Sequence, residues 1–183
     1  MNNLPYIVVF NFLSDQEIDQ LIQYWNTIRT VEVLEDNNWD TGSKKINDIT
    51  VKGRKVRITG VSEHQFESIT VKIKKAFSDI LGTDSKVEFP HYLTEYKAGC
   101  YHASHRDKLP EMWYRDKVIT VQLSNPLDYE GGDLMIDDFT VPKDKGCAII
   151  YNGKDYHQVT KVTKGVRFSL TECAGVKPKE VLI

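Results

Sequence analysis

The second half of the chain most narrowly limits what it can fold into. Short runs rich in Val, Ile, Tyr, Phe and Thr recur at 87–96, 117–123, 133–136, 146–151, 156–162 and 166–173. Turn residues separate them at Asn125-Pro126, Glu130-Gly131-Gly132, Asp137-Asp138, Asn152-Gly153 and Lys164-Gly165. Strands this short and closely spaced bury their apolar faces by stacking as two antiparallel sheets or by closing into a barrel. The first half reads differently. Ser14 and Glu17 form a capping box, followed by Ile18, Leu21, Ile22 and Trp25 at helical spacing. Ser62 and Gln65 suggest a second box, with Phe66, Ile69, Ile73, Phe77 and Ile80 behind it and Gly82 as its stop. Runs at 7–12, 30–34 and 56–59 add β-prone pieces. The expected class is α+β: two early helices packed outside one sheet of a double-sheet core. One domain over 1–183 is expected, with a helical support region at 1–82, a β core at 86–174 and a tail at 175–183.

Composition excludes several function classes. With 24 Lys+Arg against 26 Asp+Glu and 40% hydrophobic residues, the chain is neither disordered nor basic enough to be chiefly a nucleic-acid binder. Its three cysteines, Cys100, Cys147 and Cys173, are odd in number and far apart, which fits reduced thiols in a cytoplasmic protein. The first residues lack the pattern of a secretory signal, and no apolar run is long enough for a membrane span. A polar insert around Trp39 and a local basic cluster (Lys44, Lys45, Lys52, Arg54, Lys55, Arg57) read as solvated surface or as a functional loop.

His105-Arg106-Asp107 places an imidazole and a carboxylate on one side of an extended segment. Alone, His-x-Asp arises easily by chance. His157 adds a second imidazole, and Arg167 follows ten residues later. With Thr163-Lys164-Gly165 read as the turn of a hairpin, Arg167 falls beside Lys161, about four residues or roughly 13 Å along the sheet from His157. That gap suits a small dicarboxylate, one end at a metal and the other in the planar fork of the guanidinium. Two imidazoles and one carboxylate make the facial set of non-haem Fe(II) oxygenases, with positions left open. Zinc hydrolysis by the same ligands would give Arg167 no task.

Three blocks carry a family resemblance. Tyr96-Lys-Ala-Gly99-Cys-Tyr101-His-Ala-Ser-His105-Arg-Asp107, Glu130-Gly-Gly-Asp-Leu134, and His157-Gln-Val159 through Gly165-Val-Arg167-Phe-Ser169 occur in order. Over 92–174 the chain resembles the double-stranded β-helix (jelly-roll) core of the prolyl 4-hydroxylase-like 2-oxoglutarate/Fe(II)-dependent dioxygenases. The resemblance implies that His105, Asp107 and His157 bind Fe(II), and that Arg167 anchors the distal carboxylate of 2-oxoglutarate with Tyr96 as a second donor. Read from the residues alone, Tyr96 is equally a strand aromatic, Ser169 a barrel-filling serine beside Arg167, and Thr120 a further candidate for the cosubstrate pocket. Lys161 departs from the family's pattern, since simple alternation would point it into the barrel unless a bulge intervenes.

The implied reaction uses O₂ and 2-oxoglutarate, with ascorbate as a possible reductant, to hydroxylate an unactivated C–H. The implied substrate is a prolyl residue of a peptide or protein, with Tyr101, Trp113, Tyr114 and Trp39 as candidate contacts; loop aromatics of this kind also simply pin turns. A free amino acid or other small molecule is the nearest alternative. A nucleic-acid oxygenase of the AlkB type is disfavoured, because its second Arg would fall at Cys173. A metal-free β-barrel binding module is the non-enzyme alternative.

Overall fold

A computed structural model describes residues 4–28, 32–36, 54–108 and 111–178. Trp39, Lys44, Lys45, Lys52 and the end of the expected tail lie outside the described residues. Among the described residues two α-helices, α1 (Asp15–Thr27) and α2 (Glu67–Leu81), accompany thirteen strands. The early strands are β1 (Tyr6–Val9), β2 (Glu32–Asp36), β3 (Arg54–Val61) and β4 (Lys86–Val87). The core follows with β5 (His91–Lys97), β6 (Tyr101–His105), β7 (Lys117–Gln122), β8 (Tyr129–Gly131) and β9 (Leu134–Ile136). It ends with β10 (Phe139–Thr140), β11 (Ala148–Asn152), β12 (His157–Val159) and β13 (Val162–Gly175). Their hydrogen-bonded order is β1-β11-β7-β13-β5-β3-β6-β12-β9-β10, with β2 beside β3, and β4 and β8 beside β13. All pairs are antiparallel, and β3 turns the corner by pairing β5 through residues 57–61 and β6 through 54–55. The curled sheet is the expected double-stranded β-helix core. Among the described residues, no helix is long and apolar enough to cross a membrane.

Period-two alternation gives the larger sheet two working faces. On β13, Phe168, Leu170 and Ala174 meet the helices, while Arg167, Ser169, Thr171 and Cys173 line an interior cavity. On β5, Leu93 faces the helices and Tyr92, Thr94 and Tyr96 the cavity; on β7, Ile119 and Val121 oppose Thr120. Ile18, Leu21 and Trp25 of α1 and Ile69, Ile73 and Phe77 of α2 complete the outer core. Each such burial contributes about 1.5–3 kcal/mol. The Ser14–Glu17 capping box forms as expected, with Ser14 Oγ accepting from the Glu17 amide at 3.3 Å. The second box does not. Gln65 N–H instead donates to the Ser62 carbonyl in a turn, and α2 begins after Phe66 without a side-chain cap.

The expected hairpin between His157 and Arg167 is absent. Strand β12 already has β6 and β9 on its two sides, and β13 has β5 and β7, so the two cannot pair. Gly165, read as a turn residue, sits inside β13 at φ +72, opposite Tyr129 of β8, beside a register shift. The chain instead breaks from strand geometry at Thr160-Lys161 while still running beside 132–133, where the Thr160 amide donates to the Asp133 carbonyl at 2.9 Å and the Lys161 carbonyl accepts from the Gly132 amide at 3.3 Å. That break leaves Lys161 exposed while Val159 and Val162 both point inward, which resolves its anomalous parity. Two one-residue slips, at 160–161 and at 163–165, thus return Arg167 to the inner face.

Between α2 and the sheet lies a buried polar chain: Thr70, His91 and Glu172, each at most 3% exposed. Thr70 Oγ1 donates to the Glu63 carbonyl at 2.9 Å, so it accepts from His91 Nε2 at 2.9 Å. His91 Nδ1 is therefore left facing Glu172 Oε2 in a short contact, and Glu172 Oε1 accepts from the Cys173 amide at 2.7 Å. Burial raises the Glu172 carboxyl to about 9, against a smaller lowering by the Cys173 amide. Burial and the Lys74 charge lower His91 to about 4. A neutral carboxyl donating to a neutral imidazole satisfies every partner.

The signs follow from proton linkage. Glu172's contribution is complete below its usual 4.5 and is lost as pH rises through about 9. His91's is complete above its usual 6.5 and is lost as pH falls through about 4. Of these two, only the Glu172 slope remains above 6.5. Glu172→Gln keeps the geometry without an ionisable group, so wild-type Tm should fall relative to this variant's between pH 6.5 and 9. Parallel Tm–pH curves would refute the assignment.

Candidate active site

The inner faces of β3, β5, β7, β11, β12 and β13 enclose a cavity of about 380 Å³, within the usual range of ligand pockets. His105, Asp107 and His157 converge at its wall, their ligand atoms within 4.8 Å of one another. Cα pairing of His157 with His105 brings the two imidazoles together across β12 and β6. Asp107 follows just past the end of β6.

Each imidazole is oriented by a backbone carbonyl. His105 Nδ1 lies 2.8 Å from the Ala103 oxygen, and His157 Nδ1 lies 3.1 Å from the Asp155 oxygen. A carbonyl can only accept, so each Nδ1 carries hydrogen and each neutral ring turns an Nε2 lone pair inward. Those Nε2 atoms stand 3.5 Å and 3.2 Å from the two oxygens of Asp107. Three acceptors facing one another call for a proton or a cation. A proton on the His157 Nε2 meets that need: burial alone would raise the Asp107 carboxyl, but the charged His157 ring donating to it holds it well below the usual carboxylate range. Burial alone would lower His157, but the Asp107 charge and hydrogen bond raise it. The donor set fits a divalent metal with open positions.

Arg167 is fully buried. Its Nη2 donates to Gln122 Oε1 at 3.0 Å and its Nη1 to Ser169 Oγ at 3.3 Å. The guanidinium carbon stands 5.1 Å over the Tyr96 ring, and Nε has no hydrogen-bond partner among the described residues. No described carboxylate forms a salt bridge with it. A buried cation with neutral partners and an orphaned donor fits an anionic ligand, as the distal carboxylate of 2-oxoglutarate would be. Gly132 makes room here: a Cβ would stand 3.1 Å from Arg167 Cδ and 2.8 Å from Val162.

The cavity brings together His105, Asp107, His157, Arg167, Tyr96, Ser169 and Thr120. Thr120 Oγ1 lies 3.4 Å from the Tyr151 hydroxyl and 3.5 Å from Thr171 Oγ1. Tyr101, Trp113 and Tyr114 are half-buried and are not among the lining residues; Trp113 and Tyr114 meet each other edge-on at 5.8 Å. Their segment contributes Arg115 instead, bound by Glu88 through hydrogen bonds of 2.8 and 2.9 Å. Gln122, Tyr151, Arg115 and His102 were not singled out from the sequence. His102 stacks on His105 with ring centroids 3.9 Å apart. The irregular pairing of β6 with β12 lets these residues, three apart, share one side.

Residues 91–172 match the family model described as the 2OG-Fe(II) oxygenase superfamily. That stretch, which carries His105, Asp107, His157 and Arg167, is similar to a 2OG-Fe(II) oxygenase core. A PKHD-type hydroxylase of Thermosynechococcus vestitus is 27% identical over 168 residues, 85% of this chain and 71% of the relative. Further PKHD-type relatives match over well under half of their own length. Among solved structures, a Pseudomonas putida prolyl-4-hydroxylase superposes with a TM-score of 0.70 at 17% identity, covering 95% of this chain and 94% of that one. A Trichoplax adhaerens prolyl hydroxylase in complex with a hypoxia inducible factor oxygen degradation domain peptide fragment gives 0.67 at 14% identity, with coverage of 95% and 84%.

A raised His157 means that protons compete with metal at the triad. Metal uptake should therefore strengthen with rising pH below that pKa, by at most about tenfold per unit for one displaced proton. Mn(II) titrations at pH 6 and 8 measure this. A pH-independent Kd would refute it.

Proposed function

We propose that the chain is a 2-oxoglutarate- and Fe(II)-dependent dioxygenase that hydroxylates an unactivated C–H, with a prolyl residue of a peptide or protein as substrate. The observation that carries the chemistry is the pairing, in one cavity, of an inward-facing His/Asp/His acceptor set with a buried guanidinium lacking a described anionic partner. Bound together, Fe(II), 2-oxoglutarate and O₂ supply an oxidative decarboxylation to succinate and CO₂ coupled to placing one oxygen on the substrate carbon.

The chain's own residues do the rest. His105, Asp107 and His157 hold the metal on one side, leaving the other positions open. Arg167, oriented by Gln122 and Ser169, grips the distal carboxylate. Tyr96 lies against the guanidinium, and Thr120 and Tyr151 close the wall. Ascorbate would serve only as a reductant that keeps the iron ferrous.

For the substrate, the supporting observation is likeness of fold to prolyl hydroxylases, one of them in complex with a peptide. A second reading, the same chemistry on a free amino acid or other small molecule, is favoured by the absence of Tyr101, Trp113 and Tyr114 from the cavity lining.

Succinate formation with Fe(II) and 2-oxoglutarate tests the chemistry. His105→Ala and His157→Ala should abolish it. Arg167→Ala, which removes a charge-assisted contact worth about 1.5–3 kcal/mol, should raise the 2-oxoglutarate KM by roughly ten- to hundredfold. An unchanged KM would remove Arg167 from its role. Mass spectrometry of a proline-rich peptide library, compared with free amino acids, then decides the substrate by where one oxygen is gained.

A further inference from the structure

The turn that follows β11 binds the metal loop in a way the proposed chemistry does not itself require. Gly153 is buried, and its carbonyl accepts from the amides of both Asp107 and Lys108 at 2.9 Å. Its own N–H donates to the Asp116 carbonyl at 2.9 Å. One residue thus ties down both ends of the segment from 107 to 116. Two residues on, the Asp155 carbonyl takes the Nδ1 hydrogen of His157. The turn is itself braced: Asn152 O accepts from the Asp155 amide at 3.0 Å, and Asn152 Nδ2 donates to Asp155 Oδ2 at 2.7 Å. The Lys117 ammonium donates to Asn152 Oδ1.

Gly153 also leaves no room for a side chain. A Cβ there would stand 2.0 Å from the Arg115 carbonyl oxygen and 3.3 Å from Lys108 Cβ. Backbone cannot yield cheaply at such a distance, so any larger residue must push the 107–116 segment away and carry the Asp107 amide with it.

We propose that this turn is the positioning element of the metal centre, with Gly153 setting where Asp107 stands and Asn152 holding the carbonyl that orients His157. The inference rests on the proposed metal centre. Gly153 and Asn152 touch neither metal nor cosubstrate; they act through the ligands, as outer partners of metal sites do.

Co(II) binding to the full chain tests this, read by ligand-field absorbance together with thermal melting. Gly153→Ala and Asn152→Ala should remain folded, bind Co(II) about tenfold or more weakly, and show shifted bands, the usual size of outer-shell effects. Gly146→Ala controls for lost stability alone, because its Cβ meets the Leu13 carbonyl oxygen at 2.5 Å in the helix-side core. It should lower Tm and leave the Co(II) Kd and spectrum unchanged. If Gly153→Ala fails to fold, Asn152→Ala, which adds no atoms, decides the matter. Folded variants with wild-type Kd and spectrum would overturn the proposal, as would an equal loss of metal in Gly146→Ala. A wild-type chain that binds no Co(II) would overturn both this inference and the proposed function; normal binding in all variants overturns this one alone.

Discussion

A guanidinium taken wholly out of water governs the interior of this barrel. Removing a charge from solvent costs several kcal/mol unless an opposite charge or a full set of hydrogen bonds compensates. Among the described residues, Arg167 has only a carboxamide, a hydroxyl and an aromatic face. An anionic ligand beside it would supply further compensation. The same holds across the cavity, where two imidazole lone pairs and a carboxylate confront one another. A cation at one end and an anion at the other would turn two local penalties into two attractions. The two ends of the cavity thus suit ligands of opposite charge.

Much of this was legible in the sequence where chemistry restricts residue type. Few residues can supply a facial metal set, and only arginine offers a fixed, permanently charged fork, so His105, Asp107, His157 and Arg167 stood out. The first helix was legible because its Ser14–Glu17 box is local. The second start was misplaced because Ser62 spends its backbone on a turn, which its side-chain chemistry does not reveal. Strand pairing was less readable. Gly165 has the positive φ of a turn residue, and a bulge inside a strand uses the same conformation. Gln122, Tyr151, Arg115 and Gly153 look like ordinary strand or turn residues, and contact alone gives them meaning.

The two faces of β13 are not independent. Glu172, between the cavity residues Thr171 and Cys173, points the other way and joins the chain from His91 to Thr70 on α2. The helix that covers the sheet is therefore hydrogen-bonded to the strand that carries Arg167. Trp25 against Phe168, with ring centroids 5.6 Å apart, makes a parallel link from α1. The support helices do more than hide apolar surface, since they restrain the strand from which Arg167 projects.

The paired slips at 160–161 and 163–165 have an evolutionary corollary. Each inverts the inside–outside phase of everything downstream, and only together do they cancel. Loss of a single residue at either joint would present Phe168, Leu170 and Glu172 to the cavity and bury the guanidinium against the helices. Length in this short stretch is therefore constrained more tightly than identity: residues can be exchanged there, but the count cannot drift by one without turning the active site inside out.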